Sequence, residues 1–110
     1  MHEVSIMENI LEMAVTRATP RRILRLELRV GALSGVVKEA LEFAFDAMSP
    51  GTLAEGACLD IEEVAVRARC EPCDQDFEPD SLFYECPRCG APSADVRRGR
   101  ELALVAVEVE

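Results

Sequence analysis

The sequence predicts an α+β fold of two helices and three strands, interrupted by a small cysteine-rich insert. Leucines alternate with charged residues from Leu24 to Val30, the period-two pattern of a strand with one buried face. Two other stretches repeat apolar residues at helical spacing. Across 67–98 the apolar periodicity vanishes, and that interval holds four of the five cysteines and four of the six prolines.

The elements follow in chain order. Ser5 followed by Glu8 is a capping-box pattern. Ile6, Ile10 and Met13, flanked by Met7, Leu11 and Ala14, then recur at helical spacing, which predicts a first helix over about 6–18. Thr19-Pro20 stops it, because proline disfavours the α conformation in the residue before it. In the strand that follows, Leu24, Leu26, Leu28 and Val30 share one face, and Arg25, Glu27 and Arg29 share the other. Gly31, Ser34 and Gly35 turn the chain, and Val37, Leu41, Ala44, Phe45 and Met48 mark the stripe of a second helix ending at Ser49-Pro50-Gly51. A second strand is expected over 58–66, with Leu59 and Ile61 in one phase and Val64 and Val66 in the other. The slip at Glu62-Glu63 predicts a bulge. A third strand, 102–109, changes phase in the same way between Leu104 and Val105. Residues 1–66 and 99–110 are thus expected to form one domain, with 67–98 inserted between its last two strands.

A chain of 110 residues supports one modest core. An apolar fraction of 49% with 30% charge describes a folded protein. The 21 acids outnumber the 12 bases, for a net charge of −9, which disfavours nucleic acid and anionic membrane surfaces as partners. No apolar run approaches the roughly 18 residues of a membrane span, and Met1-His2-Glu3 does not open a secretory signal, so a cytoplasmic protein is expected. In that reducing compartment five cysteines point to metal or redox chemistry rather than a disulfide framework.

Cys70-Glu71-Pro72-Cys73 and Cys86-Pro87-Arg88-Cys89 are two C-x-x-C pairs separated by twelve residues, close to the spacing of a four-thiolate zinc site. Two residues between cysteines let a tight turn aim both sulfurs at one ion. Gly90 follows the second pair, where a positive φ helps close the turn, and Asp74 holds the equivalent place after the first. Four thiolates leave no open coordination position, so such an ion is structural. With only Phe77, Leu82, Phe83 and Tyr84 for a core, the insert needs the metal to fold, at a gain on the order of 10 kcal/mol. Iron is the main competitor for four thiolates. A thioredoxin-type redox role would require each pair at the start of a helix in a βαβ unit, and neither is so placed. The insert carries five arginines against seven acids, so it lacks the basic footprint of a nucleic-acid reader. Cys58 stands alone and reads as a small core hydrophobe.

His2 is the only histidine. It is too large for removal of Met1, so the imidazole stays at position two, next to the terminal amine. That amine, the deprotonated amides of His2 and Glu3 and the imidazole can converge as four nitrogens, a set that suits square-planar nickel(II) or copper(II) rather than zinc. The Glu3 carboxylate can add an oxygen ligand or orient the imidazole.

Together, Met1-His2-Glu3, Cys70-x-x-Cys73 with Cys86-Pro87-x-Cys89-Gly90, and the closing Gly99-Arg100-Glu101-Leu102 resemble the HypA-type nickel metallochaperones of hydrogenase maturation. The resemblance covers the whole length. It implies two helices packed on a three-stranded sheet, with an inserted zinc ribbon built on four cysteines. By the same resemblance His2, with the Met1 amine and the backbone at Glu3, binds the transported Ni(II), and Cys70, Cys73, Cys86 and Cys89 carry structural Zn(II). The family delivers nickel to the precursor of the nickel-iron hydrogenase large subunit, working with a HypB-type GTPase, and in some organisms supplies urease as well. It is not an enzyme family, and both a monomer and a homodimer fit the features of this chain. Many family ribbons carry histidines beside the zinc cysteines; this one has none.

Two other readings compete. One is a zinc-ribbon module binding RNA or protein without nickel transfer, which the acidity opposes. The other is an enzyme, but one terminal histidine cannot build a Ser/His/Asp set, and Glu62 and Glu63 point to opposite faces of a strand.

Overall fold

The computed structural model describes residues 2–79 and 84–110. Its elements are α1 (His2–Ala18), β1 (Ile23–Gly31), α2 (Lys38–Met48), β2 (Cys58–Val64), β3 (Arg67–Cys70), β4 (Gln75–Phe77), β5 (Val96–Arg98) and β6 (Leu102–Val109). They form two three-stranded sheets, ordered β2-β1-β6 and β4-β3-β5.

Helix α1 starts at His2, ahead of the predicted start at Ile6, so Ser5 lies inside the helix and is not its cap. Glu3 accounts for the extra turn. A carboxylate in the first turn suits the positive end of the helix dipole, and Glu3 Oε2 also accepts the backbone N–H of Val37 at 3.2 Å. Met7, Ile10, Leu11, Ala14 and Ala18 form the buried face, while Met13, predicted on it, is 47% exposed. The helix ends as expected at Ala18, where the Thr19 hydroxyl donates to the Val15 carbonyl at 2.6 Å. On α2 the predicted stripe holds at Leu41, Ala44 and Phe45, which are buried, while Val37 stands exposed at the N-cap position, ahead of the helix.

Strand β1 is the centre of the first sheet, parallel to β2 and antiparallel to β6. Leu26, Leu28 and Val30 face both helices as the alternation predicts, but Leu24 does not: it is 45% exposed, and Ile23 is buried in its place. The cause is a bulge. Ile23 pairs with Val109 and Arg25 with Glu108, which leaves Leu24 as the extra residue and flips the phase. In β6 the phase change between Leu104 and Val105 is also a bulge, since Leu28 pairs with Leu104 and Glu27 with Ala106. The bulge expected at Glu62-Glu63 is absent: β1 and β2 stay in register from Arg25↔Cys58 to Gly31↔Val64. Strand β2 stops at Val64 and Val66 belongs to the connection beyond it, so of the second phase only Val64, the strand's last residue, is paired in the sheet.

The insert folds as antiparallel strands β3, β4 and β5 around a small cluster of Ala68, Cys70, Phe77 and Cys86, with Cys73, Tyr84 and Ala91 at its margin. Leu82 and Phe83, two of the four core residues expected from sequence, lie outside the described residues.

Where the insert joins the first sheet, backbone meets backbone. The N–H of Gly31 donates to the Glu101 carbonyl and that of Leu33 to the Gly99 carbonyl, each at 2.6 Å. A β-carbon on Gly31 would collide with the Gly99 carbonyl and sit 2.6 Å from the Glu101 nitrogen, so only glycine fits.

Candidate metal centre

Each cysteine pair sits in a turn closed by its own backbone. After the first pair the Asp74 N–H donates to the Glu71 carbonyl at 3.1 Å, with Asp74 at φ +52°. After the second the Gly90 N–H donates to the Cys86 carbonyl at 2.8 Å, with Gly90 at φ +75°. These are the two turn positions that the sequence singles out. Glycine takes this conformation at no steric cost; the aspartate is held in it by an ion pair with Arg69, whose other nitrogen lies 3.5 Å from Asp76. Arg69 has a second supporting role that sequence reasoning missed. Its carbonyl accepts the Ser93 hydroxyl and its N–H donates to the Asp95 carbonyl at 2.9 Å, which ties β3 to the chain beyond the second pair.

These turns bring four sulfurs from the two ends of the insert to one point, all within 4.8 Å of one another. Cys70 Sγ is 3.5 Å from Cys89 Sγ, and Cys73 Sγ is 3.9 Å from Cys86 Sγ. Sulfurs arranged tetrahedrally at about 2.3 Å from an ion would stand about 3.8 Å apart, so donor type and spacing fit zinc. Among the described residues this is the group of three or more ligating side chains that could hold a metal.

The four thiols are not electrostatically alike. The backbone N–H groups of Cys89 and Arg88 stabilise the Cys86 thiolate and bring its pKa down to about 6. Hydrogen bonding to Cys89, followed by burial, pushes Cys73 up to about 12. At Cys70 the Cys73 N–H favours the thiolate, but burial and the neighbouring sulfurs Cys89 and Cys86 prevail and the pKa is raised. The site thus holds one ready anion, Cys86, beside Cys70 and Cys73, which keep their protons until a cation replaces them.

The other predicted site lies at the start of α1. Met1 and the His2 side chain lie outside the described residues; the His2 and Glu3 backbones form the first residues of the helix. The Glu3 carboxylate is engaged by the Val37 N–H, an acceptor role that no sequence pattern announces because its partner is backbone. Cys58 is exposed at the start of β2, contrary to its expected place in the core. Glu62 is 2.9 Å from Arg29, and Glu63 is 3.8 Å from Lys38. Both are surface ion pairs rather than a converging acid pair.

Comparison with known proteins completes the picture. The family model described as "Hydrogenase/urease nickel incorporation, metallochaperone, hypA" matches residues 1–109. Hydrogenase maturation factor HypA of Picosynechococcus sp. is 48% identical over 112 residues, covering 99% of each chain. Its counterpart in Geobacter sulfurreducens is 47% identical over 110 residues, covering 100% of both. Among solved structures, a solution structure of HypA protein superposes with a TM-score of 0.69 at 26% identity, covering 100% of this chain and 97% of the other. The Ni metallochaperone HypA from Helicobacter pylori shares the fold, with a TM-score of 0.62 at 24% identity over 97% of this chain and 96% of that one. The chain belongs to the HypA family of hydrogenase/urease nickel-incorporation metallochaperones.

Proposed function

We propose that the chain carries Ni(II) at its N-terminus and hands it to the large-subunit precursor of nickel-iron hydrogenase, while a structural zinc holds the insert in shape. The nickel ligands are the Met1 amine, the His2 imidazole and the backbone nitrogens of His2 and Glu3. The zinc ligands are Cys70, Cys73, Cys86 and Cys89. Residues 1–66 and 99–110 act as the nickel-binding domain and 67–98 as the zinc-ribbon domain. The protein is not an enzyme; it works in the cytoplasm with a HypB-type GTPase, and the family's link to urease makes urease maturation proteins candidate partners beside it.

The observation that carries this reading is the place of the only histidine, at the open end of α1. The first four N–H groups of a helix have no intrahelical acceptor, so the amides of His2 and Glu3 can lose their protons to a metal without breaking a helical hydrogen bond. Nitrogen donors in this set favour nickel(II) or copper(II), and the family favours nickel. The positive end of the helix dipole opposes a dication, and deprotonated amides offset it. The balance suits a carrier, which must bind its cargo and then release it to the recipient's thiolates. Among the described residues no helix is long and apolar enough to cross a membrane.

Nickel titration of the protein with its native start tests the site. His2→Ala is expected to abolish stoichiometric nickel binding while one zinc per chain remains. Unchanged nickel affinity in that variant would remove the N-terminal site.

A further inference from the structure

The start of α2 lacks a cap of its own. Its N-cap residue is Val37, at φ −94° and ψ 123°, and no side chain of the helix bonds there. A helix usually solves this with a polar N-cap side chain and a glutamate or glutamine at the third helical position, whose side chain reaches back to the N-cap N–H. Here those positions hold Val37 and Ala40, which can do neither. The missing acceptor comes from the other helix: Glu3 Oε2 takes the Val37 N–H at 3.2 Å, across 34 residues of sequence.

We infer that Glu3 is a positioning residue of the nickel site, its carboxylate clamping the first turn of α1 to the start of α2. The inference rests on the nickel reading above. Chain termini fray unless tied down. α2 is a firm anchor, since Leu41, Ala44 and Phe45 are buried in the same core as Met7 and Ile10 of α1. The two ends of Glu3 therefore have different tasks. Its backbone nitrogen faces the metal, and its side chain, by holding Val37, fixes where that nitrogen stands. Square-planar coordination by backbone nitrogens tolerates little misplacement, so a loosened first turn lowers affinity without removing a ligand.

Glutamine tests this directly, because it keeps an acceptor oxygen for Val37 and discards the charge. In nickel titrations Glu3→Gln is expected to stay within about threefold of the parent, whereas Glu3→Ala weakens binding about tenfold. Val37→Pro removes the donor; because the N-cap φ of −94° lies outside proline's range, circular dichroism of the variant checks that the fold is kept. The variant should reproduce the loss of Glu3→Ala, and the double variant should be no worse than either single one. Hydrogen exchange of the Val37 amide in the nickel-free protein reads the clamp itself and should accelerate about tenfold in Glu3→Ala and little in Glu3→Gln. An equal loss of affinity in Glu3→Gln and Glu3→Ala would overturn the inference, since it would mark the carboxylate as a ligand. So would unchanged Val37 exchange in Glu3→Ala. Full nickel binding by His2→Ala in the same series would instead count against the nickel site, and the exchange measurement would still decide the clamp.

Discussion

The two sheets of this molecule have three strands each and are supported in opposite ways. β2-β1-β6 is covered by two helices, and the side chains of Met7, Ile23, Leu26, Leu28 and Leu41 beneath them are all but sealed from solvent. β4-β3-β5 has Ala68 and Phe77, and the rest of its buried cluster is sulfur. A fully buried leucine contributes about 2 kcal/mol, so a handful of them stabilises the first sheet without help. Among the described residues the second has no such reserve. The proposed zinc would order it through four sulfurs 3.5–3.9 Å apart in neighbouring pairs.

Removing the ion therefore breaks the comparison most sharply. Chelation of the proposed zinc, or Cys86→Ala, is expected to unfold 67–98 while α1, α2 and β1 stay folded, a loss on the order of 10 kcal/mol confined to the insert. Residue-resolved hydrogen exchange checks it: the Ala68 and Cys70 amides should lose protection and those of Leu26 and Leu28 keep it. Uniform loss across both sheets would show that the two are one cooperative unit.

Acid does the same by a graded route. Cys70 and Cys73 are raised and hold their protons through the neutral range, so binding must displace both. Protons then compete with the metal, and affinity falls as pH falls, about tenfold per displaced proton per pH unit. The Cys86 thiolate, lowered to about 6, needs no proton displaced at pH 7 and adds its share of the loss only below that value. Zinc affinity measured from pH 8 down to pH 6 should lose at least about 10,000-fold. A flat profile would mean that the thiols are already ionised in the metal-free protein.

The mirror experiment cuts into the first sheet. Leu26→Ala empties a site with no solvent exposure, between helices and sheet, and is expected to cost about 4 kcal/mol. The zinc content of whatever remains folded should be unchanged. Gly31→Ala strikes the place where the two regions meet. Its new methyl presses on the Gly99 carbonyl and the Glu101 nitrogen, both backbone, and neither can rotate away. The expected loss is about 3 kcal/mol, read as a drop in the denaturant midpoint. A stability equal to the parent would mean that the connection shifts freely as a hinge.

The same contrast decides what could be read from the sequence. Periodicity reports burial against a broad apolar face, so β1, α2 and the bulge at Val105 were legible. It misled where the chain slips by one residue: Leu24 looks identical to Leu26, and only pairing with β6 shows that Ile23 takes the inward place. In the insert there is little periodicity to read, and strands β3, β4 and β5 went unpredicted, yet cysteine spacing alone located the four sulfurs that the structure brings together. Covalent spacing is a local signal, whereas a backbone partner such as Val37 for Glu3 carries no residue identity at all.

The outer face of the first sheet offers the mildest test, because charge instead of apolar burial links its strands. Arg25 of β1 pairs with Glu27 on its own strand, lies 3.4 Å from Asp60 of β2, and places its Nε 3.4 Å from Glu108 of β6 without hydrogen-bond geometry. It thus touches all three strands of the sheet. All of these side chains are more than a third exposed, so water and salt screen the attraction, and holding four long side chains in place costs rotamer entropy. Arg25→Ala is therefore expected to lose about 1 kcal/mol at low ionic strength, and less at 1 M salt, where the screening length falls to about 3 Å. A loss as large as that of Leu26→Ala, or one indifferent to salt, would mean that the aliphatic stem of Arg25 packs the sheet and that this face is apolar in its energetics despite its charges.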